Sequence, residues 1–186
     1  MNIHLTFSLI RIAWFTWLLF WIWSARGAKR TERSESTASR LSYLLLVFVG
    51  LIIMSFSRFG PQIIPNSEPL NLLGAVLTWA GVLFSIWARA ILGGNWSGAV
   101  TLKQNHELIS TGPYRLVRNP IYAGMLLAGI GLVVALGSLE ALAGYLVVFA
   151  ALIWKSRMEQ RMLATRFGDA YTGYRKRTKL LIPYVF

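Results

Sequence analysis

Apolar residues along this chain fall into five long blocks separated by polar punctuation, at 7–24, 41–57, 70–92, 121–137 and 139–154. None of the blocks alternates apolar with polar, so each predicts a helix rather than a strand. Each is near the roughly 17–25 residues that cross about 30 Å of hydrocarbon, the fourth and fifth being the shortest. Lipid offers no partner for backbone N–H and C=O groups, and helices satisfy those groups internally. Gly137 and Ser138 leave almost no connection between the last two blocks, which predicts a tight antiparallel hairpin. The expected fold is an all-α integral membrane protein with about five transmembrane helices. It forms one membrane domain over 1–186, with spans 1–2 in 1–69 and spans 3–5, a long loop and the tail in 70–186.

The connections predict orientation. The first loop holds Arg26, Lys29, Arg30, Arg33 and Arg40, and the third holds Lys103, Arg115 and Arg118. The tail adds Lys155, Arg157, Arg161, Arg166, Arg175, Lys176, Arg177 and Lys179. These three segments carry sixteen of the nineteen basic residues, whereas the second loop holds only Arg58. Cytoplasmic loops collect Lys and Arg, so that face is expected to be cytoplasmic, with the N-terminus outside and the C-terminus inside. The segment 26–40 is polar and Ser-rich, and it reads as a mobile, solvated loop.

Composition narrows the class. Hydrophobic residues make up 55% of the chain and charged residues 14%, with a mean hydropathy of +0.53. A soluble domain carries closer to a quarter charged. The formal charge of +12 follows from topology rather than from a nucleic-acid partner. With no cysteine there is no disulfide framework, thiolate metal site or thiol nucleophile, and two histidines are too few for an all-His metal site. The first block carries four tryptophans and no small-residue cleavage site, so it reads as an uncleaved span. Arg11 and Arg89 lie near span ends and Glu140 by the outer hairpin, which gives no mid-span ionisable pathway for a transporter.

Chemistry gathers in two places. The third loop, 93–119, is long but rich in apolar and aromatic residues, which suits a re-entrant or lid-like layer rather than disorder. It leads into Arg118, Asn119 and Pro120, an N-cap and first-turn pair opening the fourth span. The free N–H groups and positive dipole end there, beside Arg118, suit a carboxylate or phosphate. Ordinary capping with a snorkelling Arg is the plainer alternative. In the tail, Lys155 and Glu159 are four apart on one helical face, either a surface ion pair or part of a site. Phe167 and Gly168 are expected to end that helix. Together the two segments suit a zwitterionic small molecule, its anionic end on the loop and its cationic end on Glu159.

Three blocks in this order resemble a known family. They are Trp87-Ala-Arg89 with Leu92-Gly93-x-Asn95-Trp96-Ser97; His106-Glu-Leu-Ile-Ser-Thr-Gly112-Pro-Tyr114-Arg-x-x-Arg118-Asn119-Pro120-x-Tyr122-x-Gly124; and Glu159-Gln160 through Phe167-Gly168, Tyr171 and Tyr174 to Pro183. The pattern resembles the isoprenylcysteine carboxyl methyltransferases, relatives of the membrane phospholipid methyltransferases. The resemblance implies S-adenosylmethionine as cofactor, with S-adenosylhomocysteine as product. It implies cofactor contacts at His106, Glu107, Leu108, Ile109, Tyr114, Asn119, Pro120, Ile121, Tyr122 and Glu159. Lys155 falls where the family carries a substrate-side arginine, so Lys155, Arg118 and Glu159 are the candidate catalytic residues. Asn119 stands where the family has His, and Gln160 replaces the second of two glutamates. The implied partners are the bilayer and a lipophilic or lipidated acceptor, with no metal and no nucleic acid. The implied location is multi-pass, in the plasma or inner membrane if bacterial, with the site facing the cytoplasm. The default reaction is carboxyl O-methylation of an isoprenylcysteine-like molecule. Phospholipid N-methylation and thiol S-methylation stay open, as does a different class, an NADPH-dependent sterol-type reductase.

Overall fold

The computed structural model of the protein describes residues 3–57 and 59–183, so Arg58 lies outside the described residues. Five helices run in the predicted order: α1 (Ile3–Ala25), α2 (Thr37–Ser55), α3 (Glu68–Leu92), α4 (Pro120–Leu136) and α5 (Leu139–Arg177). Four are long and apolar enough to cross a membrane, and α4, at 17 residues, is the shorter fifth. Phe15, Leu19, Leu45, Phe48 and Leu146 lie exposed on the outside of the bundle. In water such a surface would aggregate; against lipid it is solvated.

Local chemistry sets the helix ends. Ser36 caps α2 by accepting the Ser39 N–H at 3.2 Å, and Ser138 caps α5 by accepting the Ala141 N–H at 3.1 Å. Pro occupies the first turns of α3 and α4. Gly137 ends α4 at φ 66°, a left-handed position that glycine takes without strain. Ile63 and Ile64 donate to its carbonyl, so the second loop seals the two-residue α4–α5 turn.

Glycine decides which helices pair. Gly74 and Gly81 of α3 face Gly131 and Gly124 of α4, each where the other's backbone carbonyl would meet an added Cβ. Gly50 of α2 and Gly144 of α5 make the same reciprocal contact. With no side chain between them, these backbones approach closely enough for continuous dispersion contact, the force that holds helices together in lipid. Helix α1 lies on α3, burying Ile10 and Ala13 near Ala75 and Val82.

Three expectations need correction. The two-residue turn exists, but α4 packs chiefly on α3 and α5 chiefly on α2, so the hairpin opens instead of closing tightly. The first loop is not merely solvated chain: Thr31–Ser34 (β1) pairs antiparallel with Thr101–Lys103 (β2) in the third loop, adding a small ribbon to an otherwise helical fold. Gly168, at φ 50° and ψ −121°, breaks α5 as its sequence suggested, yet the chain resumes as helix to Arg177.

Gly81→Val places methyl groups against the Ala128 backbone nitrogen and the Gly124 carbonyl. The expected result is a lower thermal unfolding temperature in detergent, from the about 1–3 kcal/mol typical of overpacking. Gly173→Ala, where an added Cβ meets nothing within 4 Å, is the control that leaves the temperature unchanged or slightly raised.

Candidate functional site

At the end where the third loop folds over the bundle, the α2–α5 pair stands apart from α1, α3 and α4. A cavity of about 400 Å³ fills the gap, a size typical of small-molecule sites. Trp17 and Trp21 of α1, Tyr43, Leu44 and Val47 of α2, and Val148 and Leu152 of α5 make its apolar part. Asn95, Trp96, Thr101, His106, Tyr114, Arg118 and Asn119 from the loop, with Tyr122, Lys155 and Glu159, make its polar part.

The helical spacing of Lys155 and Glu159 places both in this cavity. Glu159 Oε1 accepts the Tyr122 hydroxyl at 2.6 Å. The Lys155 ammonium, on a side chain only 8% exposed, donates to the Gly98 carbonyl at 2.7 Å. It also lies 5.1 Å from the Tyr43 ring centroid and 5.5 Å from that of Tyr122. A carbonyl and two π faces offset the loss of water around a cation. This is a built site rather than a surface ion pair.

The loop contributes a second cluster. His106 Nδ1 accepts the Lys103 backbone N–H at 3.1 Å, which leaves Nε2 to carry the proton, and its ring meets Phe167 edge-on at 5.8 Å. Lys29 of the first loop donates to Asn95 Oδ1 and to the Asn105 carbonyl, both at 3.0 Å. Tyr114 is buried, and its carbonyl accepts the Tyr174 hydroxyl at 2.8 Å.

The predicted residues therefore divide. His106, Tyr114, Arg118, Asn119, Ile121, Tyr122, Lys155 and Glu159 line the cavity. Glu107 points outward to Lys29 at 3.5 Å, Ile109 packs against the cluster of Ala88, Tyr114 and Ile121, and neither Leu108 nor Pro120 lines the cavity. The Arg118 guanidinium is not free for an anion in the way its position suggested. It donates to the Arg175 carbonyl at 3.1 Å and closely to that of Thr178, capping the end of α5, while its Nε stays buried without a partner among the described residues. Asn119 occupies the N-cap position but makes no cap bond; its amide donates to the Leu180 carbonyl at 3.4 Å.

Sequence reasoning missed the lining from the first two spans: Trp17, Trp21, Tyr43, Leu44 and Val47. A signal was present in Trp14, Trp17 and Trp21, which recur at helical spacing; the rings of Trp17 and Trp21 stack at 4.2 Å.

The family described as phospholipid methyltransferase matches residues 70–170, from the start of α3 to just past the Gly168 break. The chain belongs to this family. Trp17, Trp21 and Tyr43 precede the matched region, and Tyr171 and Tyr174 follow it. A protein-S-isoprenylcysteine O-methyltransferase of Schizosaccharomyces pombe is 31% identical over 100 residues, 50% of this chain and 41% of that protein. A cobalt-zinc-cadmium resistance protein, CzcN, of Cupriavidus metallidurans is 30% identical over 135 residues, 71% of this chain and 56% of that one. The chain thus spans about half the length of the curated relatives it matches. The solved structure of the eukaryotic intramembrane Ras methyltransferase ICMT superposes with a TM-score of 0.54 at 21% identity, covering 80% of this chain and 52% of that one. That likeness shows the fold, an integral membrane bundle.

Burial, followed by the nearby cations Lys29, Arg166 and Lys103, holds the His106 imidazole below its usual range, with Glu107 opposing. The unfolded chain takes up that proton near pH 6.5 and the folded chain resists it, so stability is full above this pH and falls as the pH drops below it. Thermal scans in detergent at about pH 7.5 and about pH 5.5 are expected to show this loss, and His106→Asn to reduce it.

Proposed function

We propose that the protein is a membrane methyltransferase that takes S-adenosylmethionine from the cytoplasm and methylates the carboxylate of an isoprenylcysteine-like acceptor drawn from the bilayer. The single observation that carries the reading is the pairing, in one cavity, of the Tyr122-bound Glu159 carboxylate with the Lys155 ammonium, beside an apolar wall from α1, α2 and α5. Membership of the family and the names of the relatives support it. The basic residues of the first loop, third loop and tail support a cytoplasmic position for the polar end.

The residues present suit the cofactor. Glu159 would hold its ammonium group, with Tyr122 fixing the carboxylate. Its carboxylate would find the unbonded first-turn N–H groups of α4, left uncapped by Asn119. Tyr114, Trp96 and His106 offer ring faces and edges for a nucleoside, and Thr101 Oγ1 and Arg118 Nε are buried polar atoms without partners among the described residues. When bound, S-adenosylmethionine supplies an electrophilic methyl group on a sulfonium.

The chain's own part is alignment and exclusion of water. Lys155 would hold the acceptor anion, and a carboxylate acceptor needs no general base. Trp17, Trp21, Leu44 and Val47 would enclose the acceptor's apolar body and keep the reacting centre dry. A dry site favours a reaction in which opposite charges neutralise each other. An amine acceptor would bring a second cation beside Lys155, which makes phospholipid N-methylation the weaker reading.

Calorimetric titration of the detergent-purified protein with S-adenosylhomocysteine, with NADPH in parallel, tests the cofactor. Binding of the former alone is expected; binding of NADPH alone would replace this reading with a reductase. Glu159→Ala and Tyr122→Ala are each expected to weaken S-adenosylhomocysteine at least about tenfold, roughly 1.4 kcal/mol, in folded protein. Unchanged affinity in both would mean that the cofactor lies elsewhere.

A further inference from the structure

Two tyrosines stand over the Lys155 ammonium, and each gives its hydroxyl to a glutamate. Tyr122 pairs with Glu159, which the reading above already uses. Tyr43 pairs with Glu35 at 2.7 Å, and that reading leaves Glu35 without a task. Glu35 comes from the first loop, directly after β1 and directly before Ser36, the N-cap of α2. It therefore lies outside the region matched by the family.

One carboxylate oxygen of Glu35 holds two things at once. Oε1 accepts both the Tyr43 hydroxyl and the Val100 backbone N–H, the latter at 2.9 Å. The Glu35 backbone N–H returns a bond to the Val100 carbonyl, also at 2.9 Å. Val100 is fully buried two residues from Gly98, whose carbonyl is the acceptor for Lys155. Glu35 thus fixes the Tyr43 ring that faces the ammonium and the strand of chain that bonds it. Its Oε2 is buried with no hydrogen-bond partner among the described residues. A half-satisfied buried carboxylate costs stability, and a position chosen for stability alone would leave it in water.

The need for such a holder follows from the choice of lysine. An arginine guanidinium is a rigid planar fork that dictates the direction of a bound carboxylate. A lysine ammonium is a point charge on a flexible stem. Its aim has to come from what surrounds it.

We infer that Glu35 is a positioning residue which, acting through Tyr43 and residues 98–100, sets where the Lys155 ammonium meets the acceptor's reacting group. The inference rests on the methyltransferase reading and assigns the first loop to the acceptor half of the site. Glu35 bonds to Tyr43 and Val100 and to none of the residues assigned to the cofactor.

The test uses the full chain in detergent, S-adenosylhomocysteine as the cofactor probe and N-acetyl-S-farnesylcysteine as the acceptor probe. Glu35→Ala and Tyr43→Phe are each expected to raise the acceptor KM about tenfold while the Kd for S-adenosylhomocysteine stays within about twofold of wild type. The double variant is expected to be no worse than the poorer single one, because both break the same chain of contacts. Glu35→Gln, which keeps an accepting oxygen for Tyr43 and Val100, restores a near wild-type KM. An equal loss of cofactor affinity, multiplying single effects, or a Glu35→Gln variant as impaired as Glu35→Ala would each overturn the inference. Wild-type protein that binds S-adenosylhomocysteine yet methylates no acceptor probe would overturn the parent reading and this inference together, an outcome told apart by the inactivity of the wild type itself.

Discussion

Backbone-to-backbone contact at glycine is the constraint from which the rest of the molecule follows. Lipid gives helices no hydrophobic reason to associate, so association goes to the surfaces that fit most closely. The reciprocal pairs Gly74–Gly131 and Gly81–Gly124 join α3 to α4, and Gly50–Gly144 joins α2 to α5. Helices α4 and α5 are neighbours in sequence but belong to different pairs. A space between the pairs is the geometric result, and the third loop roofs it. The cavity is thus made by where the helices touch, and its lining fills what their contacts leave.

In and beside that space, the charged groups bond neutral partners rather than one another. The Lys155 ammonium bonds a carbonyl and faces two rings, while Glu159 and Glu35 each take a tyrosine hydroxyl. Tyrosine serves both roles, since its hydroxyl satisfies a carboxylate and its ring face attracts a cation. Arg118 is used differently, as a cap on the carbonyls that end α5. A guanidinium has five donors in a fixed fork, which suits several carbonyls presented together.

The spans and their order were legible because lipid imposes a length and a polarity on every crossing segment. Lys155 and Glu159 were legible as neighbours because their four-residue spacing on one helix is local, while His106, Tyr114 and Tyr122 entered through the family resemblance; all five line the cavity. What stayed hidden was nonlocal. Nothing in Thr31–Ser34 announces that it pairs with Thr101–Lys103, about seventy residues on, since four polar residues carry no period that separates a strand from a loop. Tyr43 looked like one more aromatic residue in an apolar block, and its task depends on Glu35 and Lys155 arriving from elsewhere. Arg118 was placed correctly beside α4, but the carbonyls it caps belong to a tail whose return path is set by the Gly168 break and the residues beyond it.

That return path has a meaning in time. After α5 the chain comes back alongside the loop before α4, where Arg118 and Asn119 donate their backbone N–H groups to the carbonyls of Lys179 and Leu180. These partners are made about sixty residues apart, several seconds at a ribosomal rate of roughly 5–20 residues per second. During that interval the roof of the cavity is held to the first loop by the β1–β2 ribbon but lacks its fastening to the tail. The bonds that join the roof of the cavity to Lys179 and Leu180 can therefore form only after all five helices have been made.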